Sequence, residues 1–458
     1  MASTELKNTN NTTGNRKTGT MSFWVKRSKL GLTQYLYSEY FDGNNCGVVY
    51  FSSADTLNFI SYAGGVVRHQ LSTNRKFRDT SAWYHIHIMW DTTDATADDR
   101  QKIYVNGLQE TSFSTRTNPT QNIDTYFGLA NSGGFPIRVG SIGSSYFDGS
   151  FAHFHRVDGQ ALAHTVFGST DSTTGIWKPI TSPSITYTGS SGHNFFLKFE
   201  NSGAMGTDSS GNGNNLTVNG TMTQTIDTPS NVFATLNPLQ SNNAKDAVTA
   251  PSNGNLTFND TNNADWRTMI GTLGVSSGKW YWEVKATSLS GSGMIGVGRQ
   301  DYVSTTLNKI SSAYTGSNSG DYSFSYRENG TYYYNGTSSG SHTTFTTGNI
   351  VMIALDMDNG AIYTGVNGTW NDSGDPTSGA SKTGASYTGI QTGEFYNPSV
   401  SASASNAQLS HNFGNGYFGT TAVASAQNPD DGIGIFEYSV PTGYKALCTK
   451  SINAQEYS

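Results

Sequence analysis

Four clusters in this chain have residue types and spacings that could do chemistry. The first is LDMDNGAIYTGVNGTW (355–370), where Asp356 and Asp358 stand one residue apart before two Asn-Gly pairs. A calcium EF-hand loop needs Asx at its first, third and fifth positions, Gly at the sixth and a bidentate Glu at the twelfth. Counted from Asp356, the glycine falls one place early and the twelfth residue is Asn367, which has no carboxylate. Nor do the pair suit glycoside cleavage, whose two carboxyls face each other across a sugar. Strand residues two apart lie side by side on one face. The spacing instead predicts a hairpin with a type I′ turn at Asn359-Gly360, and Val366-Asn367-Gly368-Thr369 repeats that signal.

The second cluster is histidine. His85 and His87 flank Ile86, and His153 and His155 flank Phe154, so each pair projects from one strand face. Imidazoles so spaced can share a transition metal, and a trimer would set three pairs around an axis. No carboxylate or thiol lies beside them in sequence. The preferred reading therefore puts Tyr84, Ile86, Ile88 and Trp90 in the core and the histidines on a solvated or mating face. The third cluster is DSSGNGNN (208–215), where Asp208, Asn212 and Asn214 could offer oxygens to calcium. A tight turn demands the same residues, with Gly211 and Gly213 left-handed, and is preferred. No other cofactor is expected.

The fourth cluster is RENGTYYYNGTSSGSH (327–342), whose Tyr332, Tyr333 and Tyr334 could stack on sugars. Trp370, Asn371 and Asp372 are expected on the same rim. Strand alternation buries either Tyr332 and Tyr334 or Tyr333 alone. Catalytic patterns are missing from the sequence. Glu39 and Asp42 do not fit the Glu-x-Asp-x-x-Glu strand of glycan-cleaving sandwiches, and STDSTTGIW (169–177) is a single, displaced Asp-box-like segment. There is no Gly-x-Ser-x-Gly elbow, HExxH, Walker loop or paired CxxC. The expectation is a protein that is not an enzyme.

The elements that must position these clusters follow from composition. Of 458 residues 35% are hydrophobic and only 13% charged, with 52 Gly, 25 Tyr and 23 Phe, which suits twisted strands and tight turns. Lys and Arg number 27 against 33 Asp and Glu, a net −6 without a basic stripe, so nucleic-acid binding is not expected. Cys46 and Cys448 cannot build a disulfide framework. MASTELKNTNNTTGNRKTG lacks the apolar stretch of a secretory signal, and no window approaches a membrane span, so membrane insertion is not expected. Release by lysis inside a larger particle is one route out of a cell. Strands are predicted at 20–28, 34–41, 46–53, 56–63, 66–73, 82–91, 101–107, 148–158 and 193–201, and a second set from Trp266 to Gly414. The fold class is all-β, two tandem β-sandwiches.

The second set resembles the SPRY domain. GKWYWEVKA (278–286), MIGVGRQD (294–301), IVMIALDMDNGAIYTGVNGTW (350–370) and AQLSHNFG (407–414) match its opening strand, Gly-rich strand, hairpin and close, in order. MSFWVK (21–26), AWYHIHIMWD (82–91), QKIYVNG (101–107) and FDGSFAHFHRVDGQAL (147–162) resemble the laminin-G-like, concanavalin-A-type sandwich. The expected division is an N-terminal arm (1–18), a laminin-G/concanavalin-A-like domain (19–205), a connector (206–255), SPRY (256–415) and a C-terminal extension (416–458). This order, with DTPSNVFATLNPL between the domains and PTGYKAL after them, is similar to virion structural proteins of marine bacteriophages labelled tail-fibre or tail-associated. The resemblance implies a virion location, contact with other virion proteins, a homo-oligomer such as a trimer, and recognition of host surface glycan or protein. Its alternatives are a head or tail decoration protein and, more weakly, a glycan-cleaving enzyme.

Overall fold

The computed structural model describes residues 4–9, 11–129, 136–189, 191–241, 251–260, 266–301, 314–403 and 407–456. Two compact units form, one running to Gln224 and the other from Asn231. Among the described residues no helix is long and apolar enough to cross a membrane.

The first unit carries an eight-stranded antiparallel sheet, in the spatial order Phe113–Thr117, Val66–Lys76, Thr56–Ala63, Asn45–Phe51, Gln34–Asp42, Ile137–Val139, Glu5–Asn8 and Thr217–Asn219. Its six-stranded partner runs Phe195–Leu197, Gly149–Asp158, Thr18–Arg27, Trp83–Asp91, Gln101–Val105 and Leu108–Gln109. Alternation sends Met21, Phe23 and Val25 inward beside Ile86, Ile88 and Trp90, with Phe23 paired to Ile86 and Met21 to Ile88. From the other sheet Leu36, Val49, Phe51, Leu57, Phe59 and Leu71 meet them.

The second unit has a seven-stranded antiparallel sheet, Leu236–Ser241, Arg267–Gly271, Tyr396–Ser403, Ser292–Arg299, Phe324–Arg327, Tyr332–Tyr334 and Thr337–Ser339. Its partner runs Thr257–Asp260, Ala407–Asn412, Lys279–Ser288, Ile350–Asp356, Ala361–Val366 and Thr369–Trp370. Trp280, Trp282 and Val284 face the core between the sheets with Ile295, Val297, Phe324 and Val400. Tyr281 and its alternate neighbours face outward and are covered by Phe233, Phe436, Tyr444, Ala446 and Cys448.

Three boundaries differ from the sequence expectation. Glu5–Asn8 is not an arm but a strand between Ile137–Val139 and Thr217–Asn219. The connector is shared out, since Thr217–Asn219 completes the first unit while Leu236–Ser241 pairs with Arg267–Gly271 in the second. The C-terminal extension is part of the second unit, where Lys445 and Ala446 pair in parallel with Trp280 and Tyr281. Each pairing joins segments far apart in sequence, which local patterns do not show.

Asn-Gly turns close several hairpins. At Asn106-Gly107, Asn335-Gly336 and Asn367-Gly368 both residues have positive φ, the asparagines at 50°, 48° and 49°. These are two-residue I′-type connections, flanked by the pairs Val105–Leu108, Tyr334–Thr337 and Val366–Thr369. Asn359-Gly360 is different. Asp356 pairs with Ala361, so the loop spans four residues, and only Gly360 is left-handed. The Asp356 carboxylate accepts the Asn359 backbone N–H at 3.0 Å, a side-chain capture that replaces the expected type I′ turn.

Candidate functional site

Asp356 and Asp358 serve the scaffold. Asp356 is buried, accepts the Asn359 amide at 2.8 Å and pairs with Lys279 at 3.3 Å. Asp358 accepts the backbone N–H of Gly278 at 2.6 Å, tying the hairpin to the strand beside it.

The histidines lie on the face of the six-stranded sheet opposite the core, and the chain itself covers much of it. The segment after Gly159 folds back and buries His85, His87 and His155 under Phe167, Trp177 and Tyr187. Trp177 Nε1 donates to His85 Nδ1 at 2.9 Å, which leaves Nε2 to donate to Ser22 Oγ at 2.8 Å and fixes a neutral tautomer. Burial pushes the His85 pKa down to about 3. His87 is held well below the imidazole range by burial and by His85 and His164. His155 Nδ1 meets the Tyr187 hydroxyl at 2.6 Å, and its ring stacks on Phe196 at 3.8 Å. A bulge between Ala152 and His155 puts His153 at φ 47° and breaks the simple alternation expected there. Among the described residues no three His, Cys, Asp or Glu side chains are grouped to hold a metal ion.

Asp208 is a turn anchor. Its Oδ1 accepts the backbone N–H groups of Phe196 (2.9 Å) and Ser210 (2.8 Å), and its Oδ2 accepts the Ser210 hydroxyl and the Asn214 backbone N–H (both 2.8 Å). Asn214 Nδ2 donates to Asn194 O at 2.7 Å. The Asp208 oxygens that calcium would use thus accept donors from the loop and from the Phe195–Leu197 strand, and the Asn212 backbone N–H donates to Ser210 Oγ at 3.3 Å.

Alternation in the Tyr332–Tyr334 strand points Tyr332 and Tyr334 to the core side and Tyr333 away. Tyr332 is buried, and its hydroxyl meets Thr364 Oγ1 (3.1 Å), Ser386 Oγ (3.2 Å) and Asp372 Oδ2 (3.3 Å). His342 stacks on its ring at 3.6 Å and meets Asp372 Oδ1 at 2.8 Å. Asn371, also buried, donates to Thr364 Oγ1 at 3.1 Å. Tyr332, Asn371 and Asp372 are therefore brought together, in one polar network that runs from buried Tyr332 and Asn371 out to exposed Asp372. Trp370 turns to the other face of its sheet, edge-on to Tyr281 at 6.4 Å. Tyr333 packs on Tyr314 at 5.2 Å, with Arg327 at 3.4 Å from its hydroxyl.

Tyr334 leads to a surface that the sequence did not single out. Its ring stacks on Tyr387 at 4.7 Å, both half-buried, at the loop end of the second unit. Next to them Tyr322 has φ 48°, a left-handed backbone that for a bulky residue costs about 1–3 kcal/mol. Tyr396 Oη holds the Tyr322 carbonyl at 3.0 Å, and the Arg299 guanidinium lies 5.2 Å over the Tyr322 ring. Arg299 is fixed by Asp301 at 2.6 Å and Gln391 at 2.5 Å. Phe395, 55% exposed, joins this end through the Gln300 N–H to Phe395 O bond at 2.8 Å. Positive φ at Tyr322 has no local signature, and loops scattered from Arg299 to Phe395 in sequence meet only on folding.

These features define a two-sandwich β protein whose second unit ends in an aromatic rim. The chain carries a domain of the concanavalin A-like lectin/glucanases superfamily, matched over residues 2–166, followed by a SPRY domain, matched over 279–416. Among solved structures the SPRY domain of human HERC1 is 18% identical over 38% of this chain and 96% of its own, with a TM-score of 0.29. The heptameric SAP-like pentraxin of Limulus polyphemus is 19% identical over 35% of this chain and 72% of its own, with a TM-score of 0.26. A human SPRY domain is 14% identical over 34% and 90%, at 0.25. No curated protein matches the chain.

Proposed function

We infer that this chain is a non-catalytic recognition protein of a bacteriophage particle, tail-associated, which binds host surface protein or glycan through the loop end of its SPRY unit. The observation that carries the binding reading is the rim built by Arg299, Tyr322, Tyr334, Tyr387 and Phe395. Aromatic rings beside an arginine held by Asp301 and Gln391 are the composition of binding hot spots. The backbone strain at Tyr322 is retained where display of its ring has a use. The order of sandwich, connector, SPRY domain and PTGYKAL supports the virion placement. Weak single contacts become useful when a homo-oligomer presents several copies.

The test is binding of full-length protein to intact host cells, compared with Tyr322→Gly. Glycine accepts the left-handed backbone, so the variant keeps its fold and thermal midpoint while losing the ring. Cell binding is expected to fall about tenfold. Binding that is unchanged in the variant sinks the assignment of this rim. A wild-type protein that ignores host cells but docks at regular positions on the particle moves the function to assembly among virion proteins.

A further inference from the structure

The segment 160–187 lies over the outer face of the six-stranded sheet in the first unit as a strap. Thr20 on the sheet ties its start, donating to Gln160 O at 2.6 Å and accepting the Leu162 N–H at 2.9 Å. Gln160 Nε2 donates to Thr186 O at 2.8 Å, which draws the two ends of the strap together. The hairpin of Gly168–Thr170 with Trp177–Pro179 forms its middle. Phe167 is its one buried apolar side chain and seats on imidazoles, 5.4 Å from the His87 ring and 5.1 Å from that of His155. Trp177 lies 5.8 Å from His85, and His164 lies 6.2 Å from His87. None of the strap's residues joins the core between the two sheets. A segment held by so little apolar burial opens at a lower free energy than the sandwich beneath it.

What the strap rests on is a bed of rings, three of them imidazoles buried in the neutral form. Nδ1 of His85 accepts the Trp177 N–H, so a proton placed there breaks the bond between sheet and strap. Burial also lowers His155, with His153, His85 and Lys198 adding to it. It lowers His87 with help from His85 and His164, against the Leu162 carbonyl. The charges around this face are otherwise engaged. Lys102 pairs with Asp99 at 2.8 Å, Lys198 lies 3.9 Å from Glu200 beside His153, and Lys26 stands opposite Trp83. Tyr104 stacks on His164 at 4.3 Å, and burial and Asp208 raise the Tyr187 hydroxyl, which stays protonated. The strap has one carboxylate, Asp171, and one lysine, Lys178, paired at 2.7 Å. Lys178 and Thr174 hold Asp171 well below the usual carboxylate range, so it stays ionised while imidazoles titrate. Lifting the strap returns each imidazole toward its ordinary 6.5. Closure is therefore strongest above that pH, and opening gains about tenfold per pH unit below it for each histidine freed.

We propose that the strap over residues 160–187 is an acid-released cover: protonation of His85, His87 and His155 lifts it from the sheet while the sandwich beneath stays folded. The release needs nothing from the SPRY rim. The experiment is hydrogen exchange of the full-length protein from about pH 7 to about pH 4.5, corrected for the intrinsic rate at each pH. Peptides of the strap are read against those of the Thr56–Ala63 and Trp83–Asp91 strands. The opening constant of the strap is expected to rise as the pH falls below 6.5, approaching about a thousandfold per pH unit for three protons, while the strands stay protected. His87→Phe keeps a ring that cannot take a proton, so the rise becomes about tenfold smaller per pH unit. His155→Phe does the same and stands in if the first variant loses its fold at neutral pH. Asp171→Asn leaves the slope unchanged. The proposal is overturned if strap and strands open together at every pH, or if the opening of the strap does not depend on pH. A slope that neither phenylalanine variant lowers, or that Asp171→Asn abolishes, also overturns it.

Discussion

Glu283, the acidic residue of the KWYWEVKA strand, is the most informative group to perturb. Its carboxylate is fully buried, and it fastens the carboxy-terminal segment to the SPRY sheet. Oε1 accepts the Tyr438 N–H (2.8 Å) and the Tyr281 hydroxyl (2.9 Å), and Oε2 accepts the Glu437 N–H (2.9 Å) and Asn412 Nδ2 (3.4 Å). Two effects compete. Burial disfavours the charge, whereas four donors favour it. Burial wins and pushes the pKa from its ordinary 4.5 up to about 7. The folded state therefore holds this proton more tightly than the unfolded chain does. The resulting stabilisation is complete below pH ~4.5 and is lost as the pH rises through ~7, an amount of about 3 kcal/mol. Glu283→Gln keeps a neutral side chain of the same shape and has no such loss. Hydrogen exchange of the peptide containing Glu437 and Tyr438, measured from pH 4.5 to 8, reads the local opening free energy directly. Wild type minus variant should fall by about 3 kcal/mol across that range. The difference matters because buried His85 and His411, pushed down to about 3 and about 4, gain stability with rising pH up to the ordinary imidazole value and mask the trend in the whole protein. A difference that stays constant, or rises with pH, would falsify the reasoning, because the four donors would then outweigh burial.

Two other outcomes follow from the local geometry. Asn367→Ala places a Cβ residue with no side-chain bond at φ 49° and removes the Oδ1 acceptor of the Ile350 N–H at 2.8 Å, so urea unfolding of the second unit should show a loss of about 2 kcal/mol, with Asn367→Gly recovering part of it. Excess EDTA or added calcium should leave the thermal midpoint of the first unit unchanged, since Asp208 already accepts four internal donors; a midpoint that climbs with calcium would return the DSSGNGNN loop to metal binding.

What was legible in the sequence was what local chemistry decides. Asn106-Gly107, Asn335-Gly336 and Asn367-Gly368 announce their turns because few other residues tolerate consecutive positive φ. The two sandwiches and the SPRY order were legible for a related reason, since alternating apolar residues and a strand-specific motif survive without tertiary information. Asn359-Gly360 carried the same dipeptide and took another loop because Asp356 competes for its backbone. The histidine strand shows the limit from the opposite side. Alternation separated Ile86 and Ile88 from His85 and His87 correctly, but it cannot show that a later segment with Phe167 and Trp177 returns to cover the second face. The outward tyrosines of QYLYSEYF and CGVVYFSS were not legible, because Tyr35 and Tyr40 are five residues apart and a bulge between Tyr35 and Tyr37 turns Tyr37 into the main core. Only the register set Tyr35 beside Tyr50 and Tyr40 beside Cys46.

Both units use a buried Tyr-x-Glu device, and the contrast between them shows how context decides protonation. Tyr37 Oη donates to Glu39 at 2.7 Å in the first unit, as Tyr281 Oη donates to Glu283 at 2.9 Å in the second. Each glutamate also takes backbone N–H groups from a distant segment, Glu39 from Gly128 at 2.7 Å. Burial pushes both up. Around Glu39, however, His193 stands at 3.4 Å and Arg156 at 3.7 Å, and together with Tyr37 they bring its pKa below the ordinary value. Glu283 has only neutral donors among its hydrogen-bond partners, and burial prevails. The same clamp is therefore ionic in one sandwich and proton-dependent in the other. As the pH rises toward neutrality, only the second loosens, and what it holds is the carboxy-terminal segment on the outer face of the SPRY sheet.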